Sequence, residues 1–323
     1  MSAPSLLADI GGTNTRVALS RNGEVVQGSV RHFPNKEYDA LEPVLRKYLQ
    51  ETGTQTPAAA CLAMAGPVRE GVGRLTNLDW SLDTATLAHA TGAGTVTLLN
   101  DLQAQGHALG HLPSDALFPV IAGPPPRLEA AQLVIGIGTG FNAAPVFNTN
   151  AGRFVPPSES GHVSLPLRTE EDMQLARFLE EAHGFAAVED ALSGRGLVAL
   201  HQFVCSQNDV PEKADLKGRQ IMAAVAEGDA EARGAAALFS RFLGVVAGDL
   251  ALTQLPFGGI FLIGGMARAM APYLADLGFV GGLQDKGRFS DFMKQFSVTV
   301  ISDDDAALIG MARHLQALLD YRK

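Results

Sequence analysis

The chain has 323 residues, a formal net charge of −9 and 46% hydrophobic side chains, which is long enough for two domains and ordinary for a globular protein. The acidic balance argues against nucleic acid or a membrane surface as the main partner, since both favour basic patches. Only Cys61 and Cys205 occur, too far apart for a CxxC-type zinc site, and so sparse a cysteine usage is expected of a reducing, cytoplasmic compartment. The start carries no basic segment, and Asp9 interrupts its apolar stretch, so a signal peptide is not expected.

In chain order, "SLLADI" and "TRVALS" are short β-type runs on either side of GGTN, and the opening reads as a hairpin. "EVVQGSVRHF" continues the strands. From Glu37 to Glu51 the apolar residues Leu41, Val44, Leu45, Tyr48 and Leu49 recur at helical spacing. "AAACLAMAG" is a small-residue strand; "GTVTLLND" is another, followed by the helical "LQAQGHALG". "PSDALFPVIAGPPPR" reads as a loop, with Gly123 to Arg127 as the strongest break in the chain. "AQLVIGIGTGFNAAPVF" then repeats the opening layout of strand, glycine turn and strand. A long helical region spans about Glu170 to Leu255. The uncharged run Leu250 to Ala267 is long enough to raise a membrane span, but Gln254, Pro256 and four glycines split it into a helix end, a turn and the strand "IFLIGG". "VTVISD" is a last strand and "DAALIGMARHLQALLDY" a closing helix. Alternating strands and helices indicate α/β layers. The two strand–glycine turn–strand units indicate two related α/β domains facing one another.

The first glycine turn lacks the lysine of a Walker A loop, and strand-like alternation follows it where a Walker or Rossmann loop would enter a helix. A tight hairpin turn can instead hold phosphate by converging backbone N–H groups. Gly11 and Gly12 are expected to supply positive φ and room for close approach, Thr13 a hydroxyl donor, and Asp9 a carboxylate facing Mg²⁺ through water. A plain β-hairpin with glycines in its turn accounts equally well for this stretch taken alone.

Further segments fit one pattern with "DIGGTNTR": "LTNLDW", "LLNDLQAQ", "VIGIGTGFNAA", "PSESGHVSLP", "LSGRGLVALH", "GIFLIGGMA" and "DKGRF". Together, in order, they resemble the bacterial glucokinase family of the hexokinase/actin-like ATPase superfamily. That resemblance implies an α/β fold of two ribonuclease H-like (actin-like ATPase) domains flanking a cleft. The small domain would comprise residues 1–110 plus 302–323, and the large domain residues 111–301. It implies transfer of the γ-phosphoryl of ATP to the 6-hydroxyl of glucose, with Mg²⁺, giving glucose 6-phosphate and ADP. A homodimer is implied as well, with neither nucleic acid nor a membrane as partner. The cysteine-rich zinc motif of the ROK sugar kinases is missing, which favours the branch without zinc. Two alternatives stay open: a kinase for another hexose on the same fold, and a non-catalytic sugar sensor, against which the presence of Asp101 speaks.

By the resemblance, Asp101 is the catalytic base, where simpler reasoning makes it the N-cap of the helix that follows. The implied sugar ligands are Asn100, Asp101, Glu159, His162 and Glu189, with Asn77 as a further candidate; Asp190 is the neighbour most easily confused with Glu189. The implied nucleotide contacts are Asp9, Gly11, Gly12, Thr13 and Asn14 in the first loop, Gly138, Thr139 and Gly140 in the second, and Gly264 and Gly265 at the adenosine pocket. Asn142 stands where the family usually has a glycine. It is expected to replace that glycine in the turn by tolerating the left-handed conformation, at some cost in phosphate affinity. Ser160 is a milder departure of the same kind. Closure about hinges near residues 110 and 302 would complete the site only once sugar is bound.

Overall fold

The computed structural model describes residues 3–75, 78–127, 129–150, 152–211 and 215–321. They form two compact units, one comprising Met1–Pro113, Thr149–Pro157 and Asp303–Lys323, the other Ser114–Asn148 and Ser158–Ser302.

The first unit opens with β1 (Ser5–Ile10) and β2 (Asn14–Arg21), then β3 (Glu24–Val25), β4 (Arg31–Pro34), helix α1 (Leu41–Thr52) and β5 (Ala60–Met64). A small antiparallel sheet of β6 (Val68–Arg69), β7 (Val72–Arg74) and β8 (Ser81–Asp83) follows, then α2 (Thr84–Thr91), β9 (Val96–Asn100) and α3 (Asp101–Ala108). The main sheet runs β3-β2-β1-β5-β9, with β4 also paired to β2. Every residue of β1 is buried, which suits a strand covered on both faces. Leu41, Val44, Leu45, Tyr48 and Leu49 of α1 are buried as their spacing predicts, and Gly53 ends the helix at φ 66°. Parallel pairing of β1, β5 and β9 aligns Ile10 with Met64 and Met64 with Asn100. The first glycine turn and Asp101 therefore leave the same carboxyl edge, roughly two strand spacings, or ~10 Å, apart.

The second unit starts with β10 (Leu117–Ile121), β11 (Gln132–Ile137) and β12 (Phe141–Thr149). Strand β10 lies inside the stretch read as a loop. It pairs antiparallel with a strand some 180 residues away in sequence, with a register shift between Pro119 and Ile121. After a return to the first unit that carries β13 (Gly152–Phe154), the chain forms α4 (Glu170–His183), α5 (Val188–Ala191), α6 (Gly194–Gln207), α7 (Gly218–Glu227) and α8 (Ala230–Gln254). Next come β14 (Ile260–Ile263), α9 (Gly265–Met270), α10 (Phe279–Gln284), α11 (Ser290–Met293) and β15 (Val298–Ile301). Helix α8 is long and apolar enough to cross a bilayer by composition, yet 72% of its most apolar window is buried inside the fold. The run Leu250–Ala267 divides as expected into the end of α8, a turn and β14, but the strand stops at Ile263 and residues 265–267 already belong to α9.

Helix α12 (Ala306–Tyr321) closes the first unit against α3. The two units repeat one topology. In the first, β1 pairs antiparallel with β2 and parallel with β5, which pairs parallel with β9. In the second, β11 pairs antiparallel with β12 and parallel with β14, which pairs parallel with β15. The repeated strand–glycine turn–strand layout thus marks a structural repeat, with Asp9-Ile-Gly-Gly-Thr and the loosely similar Gly136-Ile-Gly-Thr-Gly at equivalent places in the two hairpins.

Between α3 and α12 the rings of His107 and His314 lie 4.5 Å apart. Burial, with the positive fields of His314 and Arg153, takes the His107 pKa from 6.5 down to about 3. An unfolded imidazole accepts its proton near 6.5 and the folded one holds out to about 3, so between those values the unfolded chain binds more protons. Stability from this group is intact above the upper value and declines as pH falls. The expected loss at pH 5 is about 2 kcal/mol. Melting curves from pH 7 to 5 should show this decline, and His107→Leu should make the slope shallower; an unchanged slope would refute the assignment.

Candidate active site

In the first unit the turn Gly11–Thr13 links β1 to β2, and Gly12, Thr13 and Asn14 are exposed. The Gly11 N–H donates to the Asn14 carbonyl at 3.1 Å. Neither Gly11 nor Gly12 has the positive φ expected of it. Space explains glycine at position 11, where a Cβ would stand 3.2 Å from the Asn14 oxygen. The turn is held from outside by Asn35, which is 2% exposed. Its Nδ2 donates to the Gly11 carbonyl at 2.7 Å, its Oδ1 accepts from the Thr15 hydroxyl at 2.8 Å, and its backbone N–H donates to the Thr13 carbonyl at 2.9 Å. Sequence reasoning missed Asn35, because no local pattern announces a bond across 24 residues; β4 carries it there by pairing with β2.

Asp9 and Arg16 face each other across the hairpin. Arg16 donates from Nε and Nη2 to Asp9 Oδ2 at 3.1 and 2.5 Å. Arg16 also bonds the Asp304 carbonyl and approaches Asp305 at the start of α12. Burial raises the Asp9 pKa, an effect Arg16 opposes and Asp305 reinforces. Both guanidinium bonds fall on Oδ2, which leaves Oδ1 for a hydrated cation. Among the described residues no group of three or more His, Cys, Asp or Glu side chains is arranged to hold a metal directly. This donor set fits Mg²⁺ carried by its own waters and by phosphate oxygens, with Asp9 as an outer partner.

At the end of β9 the helix cap is Asn100, one residue before the position that simple cap reasoning gives. Asn100 Oδ1 accepts from the Gln103 N–H at 2.7 Å, and Gln103 Oε1 accepts from the Asn100 N–H at 3.1 Å. This capping box takes the Asn100 oxygen and leaves its amide Nδ2 as a donor. Gln103 Nε2 fixes the box to the Val155 carbonyl at 2.8 Å. Asp101 occupies the first turn of α3, with Oδ1 accepting from the Leu102 N–H at 2.8 Å. Asn77 lies outside the described residues.

The second unit builds its loop on the equivalent hairpin. The Gly138 N–H donates to the Gly140 carbonyl at 2.9 Å, and the Gly194 N–H donates to the Gly138 carbonyl at 2.8 Å. Glu189 braces this loop. Its Oε2 accepts from the Phe141 N–H at 2.8 Å, while Oε1 accepts from Arg195 Nη2 at 2.9 Å. A Cβ on Gly140 would fall 2.4 Å from Glu189 Oε2, so glycine there is required by the brace. The neighbouring carboxylate, Asp190, accepts from the Ala187 N–H at 3.0 Å. It fastens the entry of α5, which separates the two acids that the sequence leaves confusable.

Residues 163–165 run beside residues 186–188, with bonds from the Leu165 N–H to the Ala186 carbonyl (2.9 Å) and from the Val188 N–H to the Val163 carbonyl (3.0 Å). That pairing brings Glu159 and His162 into the neighbourhood of Glu189. Burial raises the Glu159 pKa, the nearby His162 lowers it and the charge of Glu189 raises it again. Glu159 and His162 are exposed and so accessible to a polar ligand. Asn142 departs from expectation. It lies within β12, in register with Gly136, and has no positive φ; its side chain reaches the segment 158–160. The left-handed turn position foreseen for it does not exist, because β12 begins at Phe141.

Gly264 follows β14 at φ 107°, where a Cβ would lie 2.4 Å from the Ile137 carbonyl oxygen. The adjacent Gly265 is exposed, with open space around a would-be Cβ. Register aligns Gly136 of β11 with Ile263 of β14, so these glycines and the second loop share one sheet edge. Each unit thus presents, at its carboxyl edge, a glycine hairpin turn with polar side chains beside it. The first adds a carboxylate at the end of β9, two strands along the sheet; the second adds two acids and a histidine.

The family model described as Glucokinase matches residues 6–318. A curated glucokinase of Chromobacterium violaceum is 34% identical over 313 residues, covering 97% of this chain and 89% of that protein. The crystal structure of a glucokinase from an Antarctic psychrotroph superposes with a TM-score of 0.86 at 33% identity, covering 98% of this chain and 99% of that one. A Balamuthia mandrillaris glucokinase crystallised with glucose shares the fold, with a TM-score of 0.83 at 21% identity over 97% of this chain and 93% of its own.

Proposed function

Because the chain belongs to the glucokinase family, we propose that it moves the γ-phosphoryl of ATP onto the 6-hydroxyl of glucose, with Asp101 as the general base. The observation that carries this role is the place of Asp101, which directly follows the carboxyl end of β9 on the sheet edge from which the first glycine turn also leaves. A sugar hydroxyl is a weak nucleophile. A carboxylate within hydrogen-bond reach orients it and takes its proton as the new O6–phosphorus bond forms. The bond from the γ-phosphorus to the bridging oxygen breaks in line as the new bond forms, and ADP leaves.

In this reading Asn100, Glu159, His162 and Glu189 hold the neutral, hydroxyl-rich ring by directional hydrogen bonds, charge-assisted at the two carboxylates. Beyond the Gly11 and Gly138 N–H groups, which close their own turns, the turns at residues 12–14 and 139–140 offer backbone N–H groups to phosphate, and Gly264 and Gly265 give the adenosine room to lie against backbone. Mg²⁺ supplies charge neutralisation on the phosphates, and Asp9 would hold it through water. Sugar-driven closure about residues near 110 and 302 belongs to the same proposal, because a site completed only by sugar limits ATP hydrolysis by water. Small-angle scattering should show compaction with glucose. A homodimer and the cytoplasm are the expected state and place of work.

The test is ADP release with Mg-ATP and a sugar panel, against a sugar-free control. Glucose-dependent turnover with glucose 6-phosphate as product is expected; equal rates with and without sugar would contradict the reading. The brace on the first turn yields its own prediction. Asn35→Ala removes the bonds of a buried amide from the Gly11 carbonyl and the Thr15 hydroxyl, and stability is expected to fall by about 2 kcal/mol. The KM for ATP should rise roughly tenfold while the KM for glucose stays within about twofold. A parallel rise in both would mean that Asn35 supports the fold without positioning the phosphate turn.

A further inference from the structure

We infer that Asn142 is the positioning residue for Glu159, and that it sets the affinity for sugar; the inference rests on the reading of Glu159 as a sugar ligand. The Asn142 side chain grips the chain on both sides of Glu159. Its Nδ2 donates to the Ser158 carbonyl, and its Oδ1 accepts from the Ser160 N–H at 3.1 Å and from the Ser160 hydroxyl at 3.2 Å. The same oxygen accepts from the Ala143 N–H at 2.8 Å, which fixes the side chain's own rotamer against β12. One amide therefore holds the carbonyl before Glu159 and the N–H after it.

Only an amide can do this from position 142. A carboxylate has no donor for the Ser158 carbonyl, an alanine has neither function, and a serine is too short to reach both sides. Glu159 needs such a hold. Its backbone sits at φ −131°, ψ 50°, outside the regular helix and strand regions, and its side chain is exposed. Left alone, an exposed loop carboxylate loses conformational freedom on binding and returns that cost as weaker affinity.

The internal repeat shows what makes room for this contact. In the first unit the hairpin places Arg16 opposite Asp9, and the two pair with each other. At the matching place in the second unit Asn142 stands opposite Gly136, which has no side chain to engage it. The side chain that closes an ion pair in one unit is directed in the other to the segment carrying Glu159. The rest of that segment is close-packed against the same hairpin: a Cβ on Gly161 would fall 2.2 Å from the Phe141 carbonyl oxygen. Asn142 thus ties Glu159 to the strand that leaves the second glycine turn.

The experiment is steady-state kinetics of the full chain and two variants, with melting temperatures as a control. In Asn142→Ala the KM for glucose should rise about tenfold, with kcat within threefold and the KM for ATP within twofold. Asn142→Asp keeps the volume and the acceptor but loses the donor; it should show a KM increase of at least fivefold, and it carries the test if the alanine variant fails to fold. Ser160→Ala, which leaves the Ser160 N–H in place, should shift the KM by less than threefold. A glucose KM unchanged in Asn142→Asp would overturn the inference, as would glucose KM, ATP KM and kcat all worsening together. Absence of glucose-dependent turnover in the unmodified chain would instead overturn the function reading, and the inference would fall with it.

Discussion

Replacing Asp101 by asparagine should lower kcat about 10³-fold while leaving the KM for glucose within about threefold, in line with the 10²–10⁴-fold typical of a lost general base. The substitution is close to isosteric. Its amide oxygen can still accept the Leu102 N–H that now bonds Asp101 Oδ1 at 2.8 Å, so α3 should start normally. The cap itself resides on Asn100 and Gln103 and is untouched, so the melting temperature should not move by more than a degree or two. A structural role for Asp101 predicts the opposite pattern, with lower stability and modest kinetic change. Steady-state kinetics with calorimetric glucose binding separates the two. Near-original kcat in Asp101→Asn would disprove the base assignment.

Gly310→Ala should cost 3 kcal/mol or more, at the upper end of overpacking penalties, although alanine is the better helix former by about 1 kcal/mol. A Cβ at this position in α12 would lie 1.7 Å from the Ala104 carbonyl oxygen of α3. Backbone cannot yield as a flexible side chain can, so the two helices must separate. That shift would also disturb the His107–His314 pair and the start of α3, where Asp101 sits. Thermal unfolding should drop by about 10 °C or the variant should fail to accumulate, at roughly 2–4 °C per kcal/mol for a domain of this size. Gly281→Ala is the control: it too lies in a helix, it is exposed, and nothing stands within 4 Å of its Cβ. That change is expected to be neutral or to stabilise by up to ~1 kcal/mol. Equal effects at both positions would show that helix propensity outweighs the close approach.

Local pattern made much of this fold legible. The helical spacing of Leu41 to Leu49, the apolar run of β1 and the two glycine hairpins each follow from short-range periodicity and turn chemistry. The family resemblance is the source of the roles proposed for Asp101, Glu159, His162 and Glu189, which composition and spacing alone do not assign. Contacts between distant segments were hidden. Strand β10 lies in a proline-containing stretch that forms a strand only because β15 pairs with it. Asn35 reaches the first turn from 24 residues away, and Asn142 reaches Ser158 and Ser160 across a segment that includes β13. Gly11 and Gly12 illustrate another limit: a glycine pair announces a turn, but whether φ or space demands it depends on what the turn packs against.

A crystal structure of the full chain with glucose and a non-hydrolysable ATP analogue tests the central claim most directly. The expected result has the Asp101 carboxylate within about 3 Å of the sugar's 6-hydroxyl, with backbone N–H groups of residues 12–14 and 139–140 directed at the phosphates. A sugar whose 6-hydroxyl lies beyond the reach of Asp101, or a terminal phosphate remote from both glycine turns, would contradict it.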